Sequence, residues 1–149
     1  MAASPSNEGP KRRPLSPAER IVAAGAIAAV GSLLLPWYGI PFSRGLSVTG
    51  LDSFGWVNAA QVVTVGAVVV LIAREVAGLR LARPFHAAEL VMAGGVWAAL
   101  LTAYLMVDRP DELGGVGSVD LRFGIFIALG GCLTIAFGGM RMRVERLAA

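Results

Sequence analysis

Charges divide this chain into blocks. Residues 21–42, 56–73, 90–107 and 123–140 contain no Asp, Glu, Lys or Arg, and apolar side chains dominate each block. None is shorter than 18 residues, and a bilayer core takes roughly 20 residues of helix, within a range of about 17–25. Apolar and polar residues do not alternate along these blocks, so the pattern does not fit a membrane β-barrel. An α-helix satisfies its backbone hydrogen bonds internally, as hydrocarbon requires. The pattern predicts an all-α fold, an integral membrane four-helix bundle with spans at about 17–38, 53–73, 86–107 and 121–141.

Local signals set the ends. In "SPAE", residues 16–19, Ser16 can cap a helix, Pro17 suits its first position and Glu19 completes a capping box. A helix over 17–38 would then be about 33 Å long, enough to cross. "TGLD", residues 49–52, offers a similar cap ahead of the second span; Pro84 opens the third, and Ser118 with Asp120 precedes the fourth. The first span stops abruptly in "LLLPWYG", residues 33–39. Trp and Tyr gather at the headgroup level because each carries one polar group on an apolar ring. Pro36 fits the last turn and Gly39 releases the chain, so Trp37 and Tyr38 are the expected interface anchors, with Trp56 at the start of the second span. A cleaved signal peptide is the rival reading, since "KRRPLSPAER" places charge before an apolar core. A bulky Pro-Trp-Tyr, and no small-x-small pattern, follows the run.

Composition supports lipid. The chain is 56% hydrophobic and 15% charged, against roughly 45–50% and about 25% for soluble domains. A formal charge of +3 would suggest nucleic acid in a soluble protein, but here the basic residues lie between apolar blocks and report topology. Lys11, Arg12, Arg13, Arg20, Arg74, Arg80, Arg83, Arg141, Arg143 and Arg146 fall on one side, against Arg44, Arg109 and Arg122 on the other. The positive-inside rule puts both termini in the cytoplasm and makes the chain a multi-pass protein of the cell membrane, with no nucleic-acid partner. Residues 1–15, rich in Pro, Ser and Gly, read as a disordered basic cytoplasmic arm. Residues 16–146 form the four-helix transmembrane domain, and 147–149 the C-terminal end.

Candidate residues fall into a few groups. Gly124, Ala128, Gly131 and Gly138 share one face of the last span, as do Ala24, Ala28 and Gly31 on the first and Gly95, Ala99 and Thr102 on the third. Small faces let helix backbones approach closely in lipid, within one bundle or between copies. Asn58, Gln61 and Thr64 lie three apart on the second span, where polar side chains face a partner or a cavity rather than lipid. They read as glue between helices, or else as the polar lining of an outward-facing pocket or pore. No charge sits deep in a span, which argues against a proton relay. His86 and Glu89 are three apart at the inner end of the third span and can pair; with no nucleophile or metal beside them they do not make an acid and base. Asp52, Asp108, Asp111, Glu112 and Asp120 match no calcium-loop spacing and read as solvated loop charge. A single cysteine, Cys132, allows no internal disulfide and reads as a small apolar filler. With one histidine besides, the usual zinc clusters are excluded, and no metal or cofactor is expected. "LDSFGW" at 51–56 and "VDLRFGI" at 119–125 both run from Asp to Phe-Gly as a span begins, a faint sign of repeated hairpins. The tail "RMRVERLAA" continues the last span and suits anionic headgroups or a docking partner.

The basic arm, "LLLPWYG" at the first exit, "GLDSFGW" into the second span and "LRFGIFIALGGCLTIAFGGMRMRVE" at the end resemble a group of uncharacterised small four-span membrane proteins of actinobacteria. The resemblance covers nearly the whole layout and implies a four-helix bundle in the cytoplasmic membrane. It carries over no catalytic residue. Claudin-like proteins share the number of spans but pair cysteines in their outer loop, and this chain has none to pair. The functional expectation is a non-enzymatic protein acting by helix association, with itself or another membrane protein and with lipid, as an accessory or scaffold subunit. A small homo-oligomeric channel or permease subunit, lined by Asn58, Gln61 and Thr64, is the alternative.

Overall fold

A computed structural model describes residues 14–39, 47–53, 55–79, 86–108 and 120–148. The first thirteen residues of the expected arm and parts of all three connections between the spans lie outside these. Four long helices carry the fold: α1 (Pro17–Gly31), α2 (Trp56–Val76), α3 (Ala87–Val107) and α4 (Phe123–Leu147). With the turn of 3-10 helix that extends α1 to Leu34, all four are long and apolar enough to cross a membrane.

The start of α1 follows from its sequence. Ser16 N–H donates to the Glu19 carboxylate at 2.8 Å, and Glu19 N–H donates to the Ser16 hydroxyl at 3.3 Å. Its end does not run to Tyr38 as the sequence suggested. Pro36 disfavours helix in the residue before it. Leu35 is accordingly extended, at φ −94° and ψ 158°. The chain leaves the helix there and becomes a strand.

That strand makes the fold something other than purely helical. β1 (Pro36–Gly39) is the centre of a three-stranded antiparallel sheet, flanked by β2 (Ser47–Thr49) and β3 (Asp120–Leu121). Tyr38 lies opposite Val48 on one side and Leu121 on the other, and a bulge interrupts β1 between Pro36 and Tyr38. The sheet closes the end of the bundle where α1 and α3 finish and α2 and α4 begin.

Helix α4 is central. It packs along α1 on one side and α3 on the other, while α2 packs on α3 and only lightly on α1. Glycines set how closely α4 approaches. A methyl group at Gly131 would lie 2.7 Å from Ala29 N and 2.8 Å from the Gly25 carbonyl, and one at Gly139 would lie 2.5 Å from Met92 N. Nothing but hydrogen fits at such crossings, which are the lipid substitute for a hydrophobic drive. A large core of small and β-branched residues fills the bundle, and a second cluster around Trp37 and Ile125 fills the sheet-capped end.

The small face of α1 needs correcting. Ala24 and Gly31 are exposed, with open space at Gly31, and Ala28 is half-buried. The side turned to α4 carries Gly25 and Ala29 instead. The segment "AAGAIAA" is small at six of its seven positions, so a helical period has no contrast by which to choose a face.

Candidate functional site

Two groups of sequence-selected residues meet at the sheet-capped half of the bundle. The first surrounds Trp37. Its ring is fully buried, and its indole N–H donates to the Ser32 carbonyl at 2.7 Å. Gly50 and Gly124 leave room for it: a methyl at either would lie under 3 Å from the indole. Tyr38 is buried as well, and its hydroxyl donates to the Leu105 carbonyl at 2.9 Å, tying the sheet to the end of α3. These two rings were expected at the headgroup level. They form a plug inside the protein, because Pro36 turns them into a strand whose partners cover them. Trp56 stands outside, 74% exposed.

The second group joins three helices. Asn58 and Gln61 on α2 are both buried. The Asn58 amide nitrogen donates to the carbonyls of Gly50 and Ser53, each at 3.1 Å, which fastens the turn leading into α2. One turn deeper, the Gln61 amide nitrogen lies 3.8 Å from the Cys132 sulfur of α4, and the Thr102 hydroxyl of α3 lies 3.9 Å from the same sulfur while bonding the Ala98 carbonyl at 2.8 Å. Cys132, expected as filler, is thus the point where polar groups from α2 and α3 converge. Thr64 takes no part: its hydroxyl bonds the Ala60 carbonyl of its own helix at 2.7 Å. The oxygens Asn58 Oδ1 and Gln61 Oε1 are buried without a hydrogen-bond partner among the described residues. A half-turn of the Gln61 amide would present its oxygen to the thiol S–H, a weak donor.

The remaining small residues are placed as follows. Gly95 of α3 faces Ala136, whose Cα would lie 2.7 Å from a methyl group at that glycine, and Ala99 and Thr102 are buried beside it. On α4, Gly124 lies against Trp37, Ala128 is buried at the plug, Gly131 faces α1 and Gly138 meets Val22.

Among the described residues, the acidic side chains of the capped end form no cluster of three. Asp52 accepts from the Thr49 backbone and hydroxyl at 3.1 and 2.8 Å, and these bonds hold its carboxyl below the ordinary value of 3.8. Asp108 accepts from the Tyr104 hydroxyl. Asp111 and Glu112 lie outside the described residues. Among the described residues no three His, Cys, Asp or Glu side chains are grouped to hold a metal. At the opposite end, His86 and Glu89 approach to 3.9 Å, both half-exposed.

Sequence reasoning missed the partners of Trp37 and Tyr38, the Arg122 side chain lying over Gly39, and the meeting at Cys132. Apart from the Trp37 bond to Ser32, five residues back, these depend on contacts between segments far apart in the chain. Comparison with protein-family models, with curated proteins and with solved structures finds no match to this chain.

Proposed function

We propose that this chain is a non-enzymatic multi-pass membrane protein that acts by association, as an accessory or scaffold subunit of a membrane complex. Both termini face the cytoplasm in this reading, as the distribution of Lys and Arg asks. The proposed setting is the cytoplasmic membrane of an actinobacterium. The supporting observation is where the polar side chains of α2 go: Asn58 and Gln61 are turned into the protein and enclosed. What remains for contact with other molecules is the outer surface, with exposed Trp97, Leu100 and Phe126 and with Gly66 and Gly130, where an added methyl group would meet nothing within 4 Å among the described residues beyond its own stretch of helix.

The test is the mass and composition of the complex drawn from its native membrane into lipid nanodiscs. A stoichiometric foreign partner supports the accessory role and identifies the complex. A lone monomer overturns it. A pure homo-oligomer moves the channel reading ahead, which draws its support from the unpartnered oxygens of Asn58 and Gln61; flux through the Asn58, Gln61 and Thr64 to Leu variant then decides. Orientation is checked separately by placing cysteine at Ser47 or Ser118 and labelling intact cells. Reaction at neither site overturns the inward placement of the termini.

A further inference from the structure

The end of the bundle opposite the sheet has an open pocket. It encloses about 190 Å³ between the start of α3, which supplies His86, Ala88 and Glu89, and the end of α4, which supplies Arg143, Arg146 and Leu147. Arg146 shares its charge with Glu75 of α2 at 3.7 Å, and Glu89 faces His86 at 3.9 Å. Arg143 has no ion-pair partner among the described residues. The pocket therefore offers one uncommitted guanidinium, with a second one turn along the same helix. Planar guanidinium groups bind phosphate oxygens two at a time, which a single ammonium cannot do.

About a quarter-turn round α4 from Arg143, the helix carries an exposed apolar stripe of Leu133, Phe137, Met140 and Val144, at spacings of four, three and four. From Leu133 to Arg143 the helix rises about 15 Å. That is half of a hydrocarbon core of about 30 Å, the depth of one leaflet. A phosphate held by Arg143, the nearer of the two arginines to that stripe, would have an apolar track of one acyl chain's length within reach, leading into the bilayer. A free phosphate would have no use for that track.

From this juxtaposition we propose that the α3–α4 pocket is a binding site for the phosphate of one anionic lipid, whose acyl chain lies along the α4 stripe. Arg143 is the principal anchor, and Arg146 is the second, loosened from Glu75 when the phosphate arrives. Glu89 opposes the ligand and limits its affinity. The site is independent of whether the protein associates with a partner.

The test uses the full chain, purified in detergent and titrated with phosphatidylglycerol, phosphatidylcholine or inorganic phosphate. Retained lipid is read by native mass spectrometry, and the unfolding midpoint by heating. Phosphatidylglycerol is expected to stay bound and raise the midpoint, and the other two are not. Arg143→Gln should weaken phosphatidylglycerol binding about fivefold and the double change with Arg146→Gln about 25-fold, from the usual contribution of a basic residue at an anionic surface. Glu89→Gln should strengthen it. Arg141→Gln removes the same charge from α4 outside the pocket and should leave it unchanged. Equal retention of phosphatidylcholine overturns the proposal. So does a shift by inorganic phosphate alone, or an Arg141→Gln loss as large as that of Arg143→Gln. Because Arg143 is exposed and has no ion pair among the described residues, its variant keeps the test valid even if the Arg146 variant fails to fold.

Discussion

Helices α2 and α4 are alike in apolarity and opposite in construction. α4 meets both neighbours through glycine: Gly131 and Gly138 admit the α1 backbone and Val22, and Gly139 admits the α3 backbone at Met92. α2 meets its neighbours through side chains, burying Val65, Val68 and Ile72 together with the amides of Asn58 and Gln61. Its own mid-span glycine, Gly66, faces away from the protein into open space. In lipid, water does not drive helices together, so close packing and interhelical hydrogen bonds carry the association. α4 relies on close approach at glycine, and α2 on the packing of its β-branched side chains. The same residue type is structural on one helix and uncommitted on the other.

The sharpest way to break this contrast is Gly131→Leu. Its Cβ would face backbone atoms of Gly25 and Ala29 at 2.7–2.8 Å, and backbone cannot yield as a side-chain tip can. Overpacking usually costs about 1–3 kcal/mol; with backbone on the far side the loss belongs at the top of that range, at about 3 kcal/mol. The same leucine at Gly66 should leave the unfolding midpoint in detergent nearly unchanged. Equal effects at the two sites would remove the distinction between the helices.

Within α2, the two amides should part company. Asn58→Leu removes the amide donor from the Ser53 carbonyl and leaves the Gly50 carbonyl only the Ser53 hydroxyl at 3.4 Å, and should destabilise by about 1–3 kcal/mol. Gln61→Leu removes a buried oxygen that has no hydrogen-bond partner among the described residues and a nitrogen whose hydrogen bond there is to sulfur at 3.8 Å. Replacing such a group with an apolar one of similar size should be neutral or slightly stabilising. Thermal unfolding of the two single variants, side by side, checks this. A large loss at Gln61 would mean that the Cys132 meeting point holds α2 in place.

The spans were legible because hydrocarbon imposes a length on any charge-free helix, and the four blocks meet it without help from tertiary contacts. The capping box at Ser16 was legible for the same reason: both its bonds lie within three residues. The sheet was not. Its strands are two to four residues long, too short to show a period, and Tyr38 pairs with Leu121 across most of the chain. The interfacial habit of Trp and Tyr does not speak to their burial in "LLLPWYG", which follows from Pro36 acting on Leu35 and from the strand that results. The polar residues of α2 were found by type and spacing, whereas their separate roles depend on what Gly50, Ser53 and Cys132 bring to them.

The smallest effect concerns how α2 and α4 begin. Each is preceded by an aspartate, the basis of the faint repeat in the sequence. Asp120 lies in β3, opposite Gly39. Asp52 closes a turn with Thr49, accepting two hydrogen bonds while the Thr49 hydroxyl accepts from its backbone N–H at 3.2 Å. Those bonds favour the carboxylate, so its folded value is lowered from 3.8. A group of that kind contributes stability above its unfolded value and loses it as pH falls from 3.8 through the lowered one. Asp52 is fully exposed to solvent, so the contribution is small. In unfolding measured from neutral pH down past 3.8, the wild type should lose slightly more than Asp52→Asn, which cannot titrate there. Asp120→Asn, outside such a turn, is the control for acid effects elsewhere. Parallel pH profiles for the wild type and Asp52→Asn would show that the Thr49 turn adds nothing to the start of α2, and the two helix starts would then differ in shape alone.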